Sequence, residues 1–476
     1  MNIFILKRFI CCFCLLPSLI SAQEIWSLEK CVNHAIERSL QVEGSQLTLA
    51  NTEIDINRAR QSRYPTLNGN TNIGWNFGRT IDQTTNQFII GTFLNNGFSL
   101  NSNVILFNGG RIGNTIEQSL ATNKATIKDL EQTKRDISLN VATLYLNLLF
   151  AKENVQNAEN QLELTNDQLL QLNKQISVGN RPENDRLDIE AQIATNEQSI
   201  IEATNNLNIN LLNLKQLLRL DPDFNMDIAN PGDIPLDTDP DIVVFNDLYL
   251  SSLNSQASIA ANEMRVKVAE LGEKIAKADF LPTLSTTGNI RTNFSNRGRT
   301  LDRIEDITTP INVTINGQSV SVGFPSQRAI FSETPYIDQI TNNKSYGFAF
   351  AMTVPIYNNS NARIGLQRAK LNTERAQLNL LQTRETLKIT VGQALSDAKA
   401  AKAKFLATQK TKTAQANLYN NAIKRFEIGN LNAFELTRLK TQMETASINN
   451  IIAKFDYLFR TKILDFYLGK PIVLAK

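Results

Sequence analysis

From Gly110 to Val178 the chain carries no proline, and Ile127, Leu130, Ile137, Val141, Leu144 and Leu148 recur at threes, fours and sevens. Apolar residues at that spacing line one face of an α-helix. At ~1.5 Å per residue the helix would span roughly 100 Å. The average globular helix has only ~11–12 residues. A helix this long finds its apolar partners along a coiled coil. Val391, Leu395, Ala398 and Phe405 carry the same spacing later in the chain. Long paired helices are therefore the frame into which everything else must fit.

The frame is used twice. Tyr64-Pro65-Thr66-Leu67 returns as Leu281-Pro282-Thr283-Leu284, an offset of 217. Leu106-Phe107-Asn108 returns as Ile356-Tyr357-Asn358, and Val178-Gly179-Asn180 as Ile428-Gly429-Asn430, both at an offset of 250. Each half reads helix, Pro-Thr-Leu, strand, loop, strand, long helix, Gly-Asn break, helix. The second half holds 33 more residues between its strands, so residues 291–345 form the longer loop. The expected division is residues 1–23 as a targeting segment, 24–230 as the first repeat and 231–476 as the second. The Asp- and Pro-rich stretch 221–241 joins the repeats.

Gly179 and Gly429 are placed to end the long helices in a left-handed residue. Arg181-Pro182 would restart the first return helix, with proline tolerated in its first turn. The return helices are expected to reach about Leu220 and Leu468.

Residues 1–23 read as a secretory signal: Lys7 and Arg8, an apolar run from Phe9 to Leu16, Pro17, then Ser21-Ala22-Gln23. A lipid-attachment cysteine at Cys14 is the alternative, with Cys11-Cys12-Phe13 a poor preceding match. The run is too short to cross ~30 Å of hydrocarbon as a helix, and no other stretch approaches ~20 apolar residues. Lys7 and Arg8 leave with the signal, so the net charge falls from +3 to +1. A near-neutral chain without a basic block is a poor nucleic-acid binder. Cys31 and His34 alone remain of their kinds. They make no disulfide framework, Cys/His zinc site or other metal or cofactor site, and both read as packed residues. No constellation for catalysis is visible, and the chain is not expected to be an enzyme.

Four segments alternate with a period of two. In the first, Leu67, Ile73, Trp75 and Phe77 oppose Asn68, Asn70, Asn72 and Asn76. In the second, Phe98, Leu100, Val104 and Leu106 oppose Ser99, Asn101 and Asn103. The third sets Leu284, Ile290 and Phe294 against Ser285, Thr287, Asn289, Arg291 and Asn293. The fourth is sharpest: Tyr346, Phe348, Phe350, Met352, Val354 and Ile356 against Gly347, Ala349, Ala351 and Thr353. Segments of about ten residues with this alternation and aromatics suit strands of a membrane β-barrel. A soluble sheet with one buried face would show the same pattern. A membrane barrel must close, and four strands are too few, since the smallest barrels have ~8. Three chains would supply ~12 strands and leave a lumen. The expected class is mainly α with a membrane β part: a long coiled α-helical barrel plus four transmembrane strands per chain, closed as a 12-stranded barrel in a trimer.

These features resemble the TolC-type outer-membrane factors of Gram-negative efflux pumps and type I secretion systems, over roughly Glu24 to Pro471. The resemblance rests on the duplicated Pro-Thr-Leu, on Phe107-Asn108-Gly109-Gly110 before a long helix, and on Phe426-Glu427-Ile428-Gly429-Asn430 followed by Glu435-Leu436. It implies a homotrimer in outer-membrane lipid that extends into the periplasm, with the longer loop 291–345 outside the cell. It further implies a periplasmic adaptor protein and an inner-membrane pump as partners, and a passive exit duct as function. The family closes its periplasmic tip with acidic rings, where aspartates lie six and nine residues past the second glycine break. Here those positions hold Glu435 and Arg438, while the first repeat offers Asp185 and Asp188. These four are the candidate gate residues, although Asp185 and Asp188 also suit an ordinary helix start. The candidate adaptor contacts are the turns Val178, Gly179, Asn180 and Ile428, Gly429, Asn430. The alternative to a duct is a periplasmic coiled-coil scaffold or adaptor whose strands form a soluble domain.

Overall fold

The computed structural model describes residues 24–81, 88–229, 238–315 and 317–470. The expected secretory signal and residues 230–237 of the linker lie outside them. The first half comprises β1 (Glu24–Trp26), α1 (Leu28–Arg38), α2 (Leu40–Gln61), β2 (Thr66–Asn76), β3 (Arg79–Ile81), β4 (Phe88–Ile90), β5 (Phe93–Asn108), α3 (Arg111–Ser177), α4 (Asn184–Leu218) and β6 (Met226–Ile228). The second comprises α5 (Phe245–Ser255), α6 (Ala257–Lys277), β7 (Thr283–Ser295), β8 (Arg299–Ile315), β9 (Gln318–Glu333), α7 (Tyr336–Asn342), β10 (Ser345–Thr353), α8 (Asn361–Glu427) and α9 (Ala433–Tyr467). The duplication holds to the residue in helix length: α3 and α8 have 67 residues each, α4 and α9 have 35 each. No helix is long and apolar enough to cross a membrane among the described residues.

The chain divides into two compact units. One runs over Asn51–Asn123 and Arg265–Gln377 and contains the main sheet. Its four strands are antiparallel in the order β10-β7-β5-β2, which leaves β10 and β2 as edges. The register sets Thr71 beside Phe98, Leu100 beside Ile290, and Ile290 beside Tyr346. Within the paired stretches the four alternating patterns thus place their apolar members on one face, except Leu106, which the register skips so that Phe107 stands opposite Leu284. A bulge in β5 between Ile105 and Phe107 shifts the ladder near its end.

Residues 291–345, expected as a loop, hold the hairpin β8–β9 and the short helix α7. Pro310 and Pro325 argue against strands in the sequence, yet both sit within the hairpin ladder. A two-stranded ribbon leaves one side of each strand open, so a proline without an N–H is tolerated there. Helix α7 caps one end of the apolar face. Asn96, which the register puts on that face, is buried beneath it: Tyr336 Oη donates to its Oδ1 at 2.7 Å, and its Nδ2 donates to the Asn72 carbonyl at 2.9 Å.

The step from strand to long helix is also shared. Gly109 and Gly110 have φ of 65° and 81°, and their repeat partners Asn359 and Ser360 have 53° and 60°. Two consecutive left-handed residues make the turn in both halves, at a cost of roughly 1–2 kcal/mol for each non-glycine residue. The repeated aromatic-Asn pair, Phe107-Asn108 and Tyr357-Asn358, sits at this step in both halves, but it ends a strand in only one. It ends β5, whereas β10 stops at Thr353, because Pro355 cannot donate to the ladder.

The other unit contains residues up to Ala50, Lys124–Met264 and those from Leu378 on. Here β1 pairs in parallel with β6, and the pair is sealed by α1, α3 and α4 through Trp26, Leu28, Val141, Leu148, Leu214 and Met226. Tyr145 Oη donates to the carbonyls of Trp26 at 3.2 Å and Ala229 at 2.9 Å, which ties α3 to both strands. Cys31 is wholly buried in this core, and burial pushes its thiol pKa up to about 12, so it acts as a small apolar residue. His34 meets the Trp26 ring edge-on at 5.0 Å. A second cluster joins α5 to α8 and α9 through Leu248, Val391, Leu395 and Leu464.

Candidate functional site

Two surfaces are candidates: the sheet and the pair of helical turns. On the sheet, Tyr346, Phe348, Phe350 and Met352 are each about two-thirds exposed, as are Leu67, Ile73 and Trp75. An apolar face of this extent needs a nonaqueous partner. The opposite face is mainly amide and hydroxyl, with Arg291 its one charged side chain. Asn68 pairs with Asn101 and Asn101 with Asn289, while Asn103 pairs with Thr287. Asparagines also lie over glycines across the strands. A Cβ on Gly97 would meet Asn72 Oδ1 at 2.5 Å, and one on Gly347 would meet Asn289 Oδ1 at 2.8 Å. These glycines let side-chain amides lie flat on the polar face.

The helical turns are built alike. Gly179 (φ 75°) donates to the Ile176 carbonyl and Asn180 to that of Gln175; Gly429 (φ 79°) donates to the Phe426 carbonyl and Asn430 to that of Arg425. This double closure satisfies the last carbonyls of α3 and α8 and requires φ > 0 at the glycine. Val178 and Ile428 beside them are 70% and 71% exposed. The restarts differ. Asn432 caps α9 by accepting from the Glu435 amide at 2.7 Å. The equivalent residue in the first repeat is Pro182, which cannot cap. It lies two residues ahead of α4 instead of within its first turn, and its carbonyl accepts from Asp185.

The four expected gate residues fall into separate environments. Asp185 stands in the first turn of α4 and ion-pairs with Arg181 at 3.7 Å. Asp188, one turn on, is exposed. Glu435 and Arg438 bond to each other, Arg438 Nε donating at 2.9 Å, and this guanidinium holds the Glu435 carboxyl below its ordinary range. Arg438 also lines a groove between α8 and α9 with Gln415, Phe434, Thr437 and Thr441.

Two further groups join these helices. Arg181 donates to the backbone carbonyls of Phe426 at 3.1 Å and Leu431 at 2.7 Å, and its guanidinium lies 4.2 Å from the Phe426 ring centroid. One side chain thereby fastens the α3–α4 turn to the α8–α9 turn. The second group is a buried polar layer that draws on all four long helices. Lys440 of α9 donates to Thr165 and Gln168 of α3, Asn196 of α4 donates to Thr165 at 2.7 Å, and Gln168 donates to Tyr419 of α8. Its signal was present: Lys440 and Glu444 sit four apart in an apolar stripe that includes Leu436, Leu439 and Met443. Arg181 had no such signal, because its partners are about 250 residues away.

The profile of the outer membrane efflux protein family matches residues 31–218 and 248–470. No curated protein sequence matches the chain. Solved structures share the fold at low identity. The outer membrane protein VceC of Vibrio cholerae is 14% identical, with a TM-score of 0.73 over 94% of this chain and 96% of that one. The CmeC outer membrane channel of Campylobacter jejuni is 17% identical, with a TM-score of 0.70 over 94% and 87%. The open-state MtrE outer membrane channel of Neisseria gonorrhoeae is 17% identical, with a TM-score of 0.69 over 94% and 90%.

Proposed function

The chain belongs to the outer membrane efflux protein family, and from that premise we propose that three copies form a passive exit duct from periplasm to exterior. The observation that carries the proposal is the sheet: exposed apolar side chains on one face, uncharged polar ones on most of the other, and two open edges. In lipid those edges must be paired. With four antiparallel strands, β10 and β2 run in opposite directions, so β10 of one copy can pair with β2 of the next in the same antiparallel sense. Three copies make ~12 strands, wider than the ~8-stranded barrels whose interiors fill with side chains. The Asn-rich face then lines a wet bore, and the apolar face meets lipid.

At the turns, exposed Val178 and Ile428 with Asn180 and Asn430 offer matched contacts to a periplasmic adaptor, through which an inner-membrane pump supplies energy. Gating is assigned to the separation of the two turns. Arg181 opposes it with two charge-assisted bonds of ~1.5–3 kcal/mol each. Asp185 serves mainly to hold Arg181, and Asp188 is left as the acid able to attract cations.

Single-channel recording in a planar bilayer tests the duct: a three-chain species in detergent should give long-lived conductance steps. A monomer that stays soluble without detergent and gives no steps would favour the scaffold reading instead. Within the same assay, Arg181→Ala should raise resting conductance by about tenfold or more, given the loss of two such bonds. Arg181→Lys, which keeps the charge but not the planar fork, should fall between. Wild-type conductance in Arg181→Ala would remove the latch from the gate.

A further inference from the structure

The four strands Thr66–Asn76, Phe93–Asn108, Thr283–Ser295 and Ser345–Thr353 contain a single charged residue, Arg291. Its register places it on the polar face, opposite Ser99 of β5 on one side and Ser345 of β10 on the other. Its Nε donates to Ser345 Oγ at 3.1 Å, which steadies the guanidinium over the strand ladder. Around it stand Asn101, Asn289, Asn293 and Gly347, polar or small and all uncharged. The side chain is exposed and has no acid on either face of the sheet to neutralise it. The β8–β9 hairpin differs: its strands hold Arg299, Arg303 and Arg328 against Asp302, Glu305, Asp306 and Glu333. Charge there largely cancels, whereas on the sheet it does not.

We propose that Arg291 is a selectivity residue, and that three copies form a ring that favours anions in the bore of the barrel. This rests on the trimeric duct proposed above. A 12-stranded barrel with strands ~4.8 Å apart and tilted ~40° has a radius of roughly 12 Å. An arginine reaching inward leaves its charge roughly 6 Å from the axis. That is inside the ~10 Å Debye length at 0.1 M salt, so the three fields overlap across the bore. A ring of uncompensated arginines is a known physical device for anion preference in pores. The ligand class is therefore small anions: halide, phosphate and carboxylate groups, whether free or carried on cargo.

The test is the reversal potential of purified trimers in a planar bilayer under a tenfold KCl gradient. Wild type should prefer chloride several-fold; Arg291→Gln should lose most of that preference, and Arg291→Lys should retain it. Arg291→Glu should shift the reversal potential toward the cation side. Because selectivity can also arise elsewhere along the bore, a second reading isolates the barrel: block by inorganic tripolyphosphate added on the β8–β9 side. Block should weaken at least about tenfold in Arg291→Glu. An unchanged reversal potential together with unchanged tripolyphosphate block in Arg291→Glu overturns the proposal. Failure of the duct reading looks different, since wild type itself would then give no channels, and it overturns both.

Discussion

The substitution Phe350→Arg is expected to cut the amount of assembled protein in the outer membrane by at least about tenfold, while Ala351→Arg, its neighbour in the chain, leaves assembly nearly intact. Phe350 lies mid-strand in β10, 65% exposed and packed edge-to-face on Phe348 at 5.0 Å between ring centroids. An arginine on the lipid face of a barrel costs ~2–4 kcal/mol at the midplane. A trimer repeats that cost three times, for roughly 6–12 kcal/mol, comparable with the entire stability of an ordinary domain at ~5–15 kcal/mol. Ala351 points to the opposite face, where an arginine meets water. The readout is the fraction migrating as a folded oligomer in unheated membrane extracts. Equal losses for both variants would mean that lipid does not cover the apolar face. If the strands formed a soluble scaffold, Phe350→Arg would be recovered without detergent in wild-type yield.

The contrast depends on an alternation that was fully legible in the chain. Tyr346, Phe348, Phe350 and Met352 announce their face at every second position, and the structure keeps them together because the period of a strand is fixed. Helix lengths were equally legible, since a proline-free stretch between Gly110 and Gly179 leaves little choice, and the glycines that end α3 and α8 need φ > 0 to close the last turn. Less legible was whatever depended on long-range partners or on exceptions to local rules. Pro310 and Pro325 disguised β8 and β9, although Asn316-Gly317 between them is a strong hairpin signal. The gate residues illustrate the other limit. Spacing from a glycine break marks Asp185 and Glu435, but it cannot show that each carboxylate already has its own arginine, Arg181 and Arg438. Arg181 itself reads as a polar residue before a proline until the fold brings it to Phe426 and Leu431.

The buried polar layer between the long helices yields a prediction whose sign changes with the number of substitutions. Lys440 is 1% exposed and Glu444 is 7% exposed, one turn apart on α9. Burial pushes the Lys440 ammonium pKa down and the Glu444 carboxyl pKa up, and each charge partly offsets the shift of the other. The pair is imperfect: Nζ and Oε1 are 3.7 Å apart, and that oxygen has no hydrogen-bond partner among the described residues. Removing one member leaves the other charge buried, at a cost of ~3–5 kcal/mol. Glu444→Leu should therefore destabilise the helical unit sharply, with Lys440 left to Thr165 and Gln168. Replacing both, as Lys440→Met with Glu444→Leu, trades an ill-matched ion pair for apolar packing beside Leu436, Leu439 and Met443. Exchanges of this kind are often neutral or stabilising by ~1–4 kcal/mol. Chemical denaturation of the detergent-solubilised protein, followed by helical circular dichroism, should rank the double variant at or above wild type and well above the single one. A double variant as unstable as Glu444→Leu would mean that Lys440 is required where it stands. Its bond to Thr165 would then be what sets α9 in register against α3, with Asn196 of α4 held to the same hydroxyl and Tyr419 of α8 reached through Gln168.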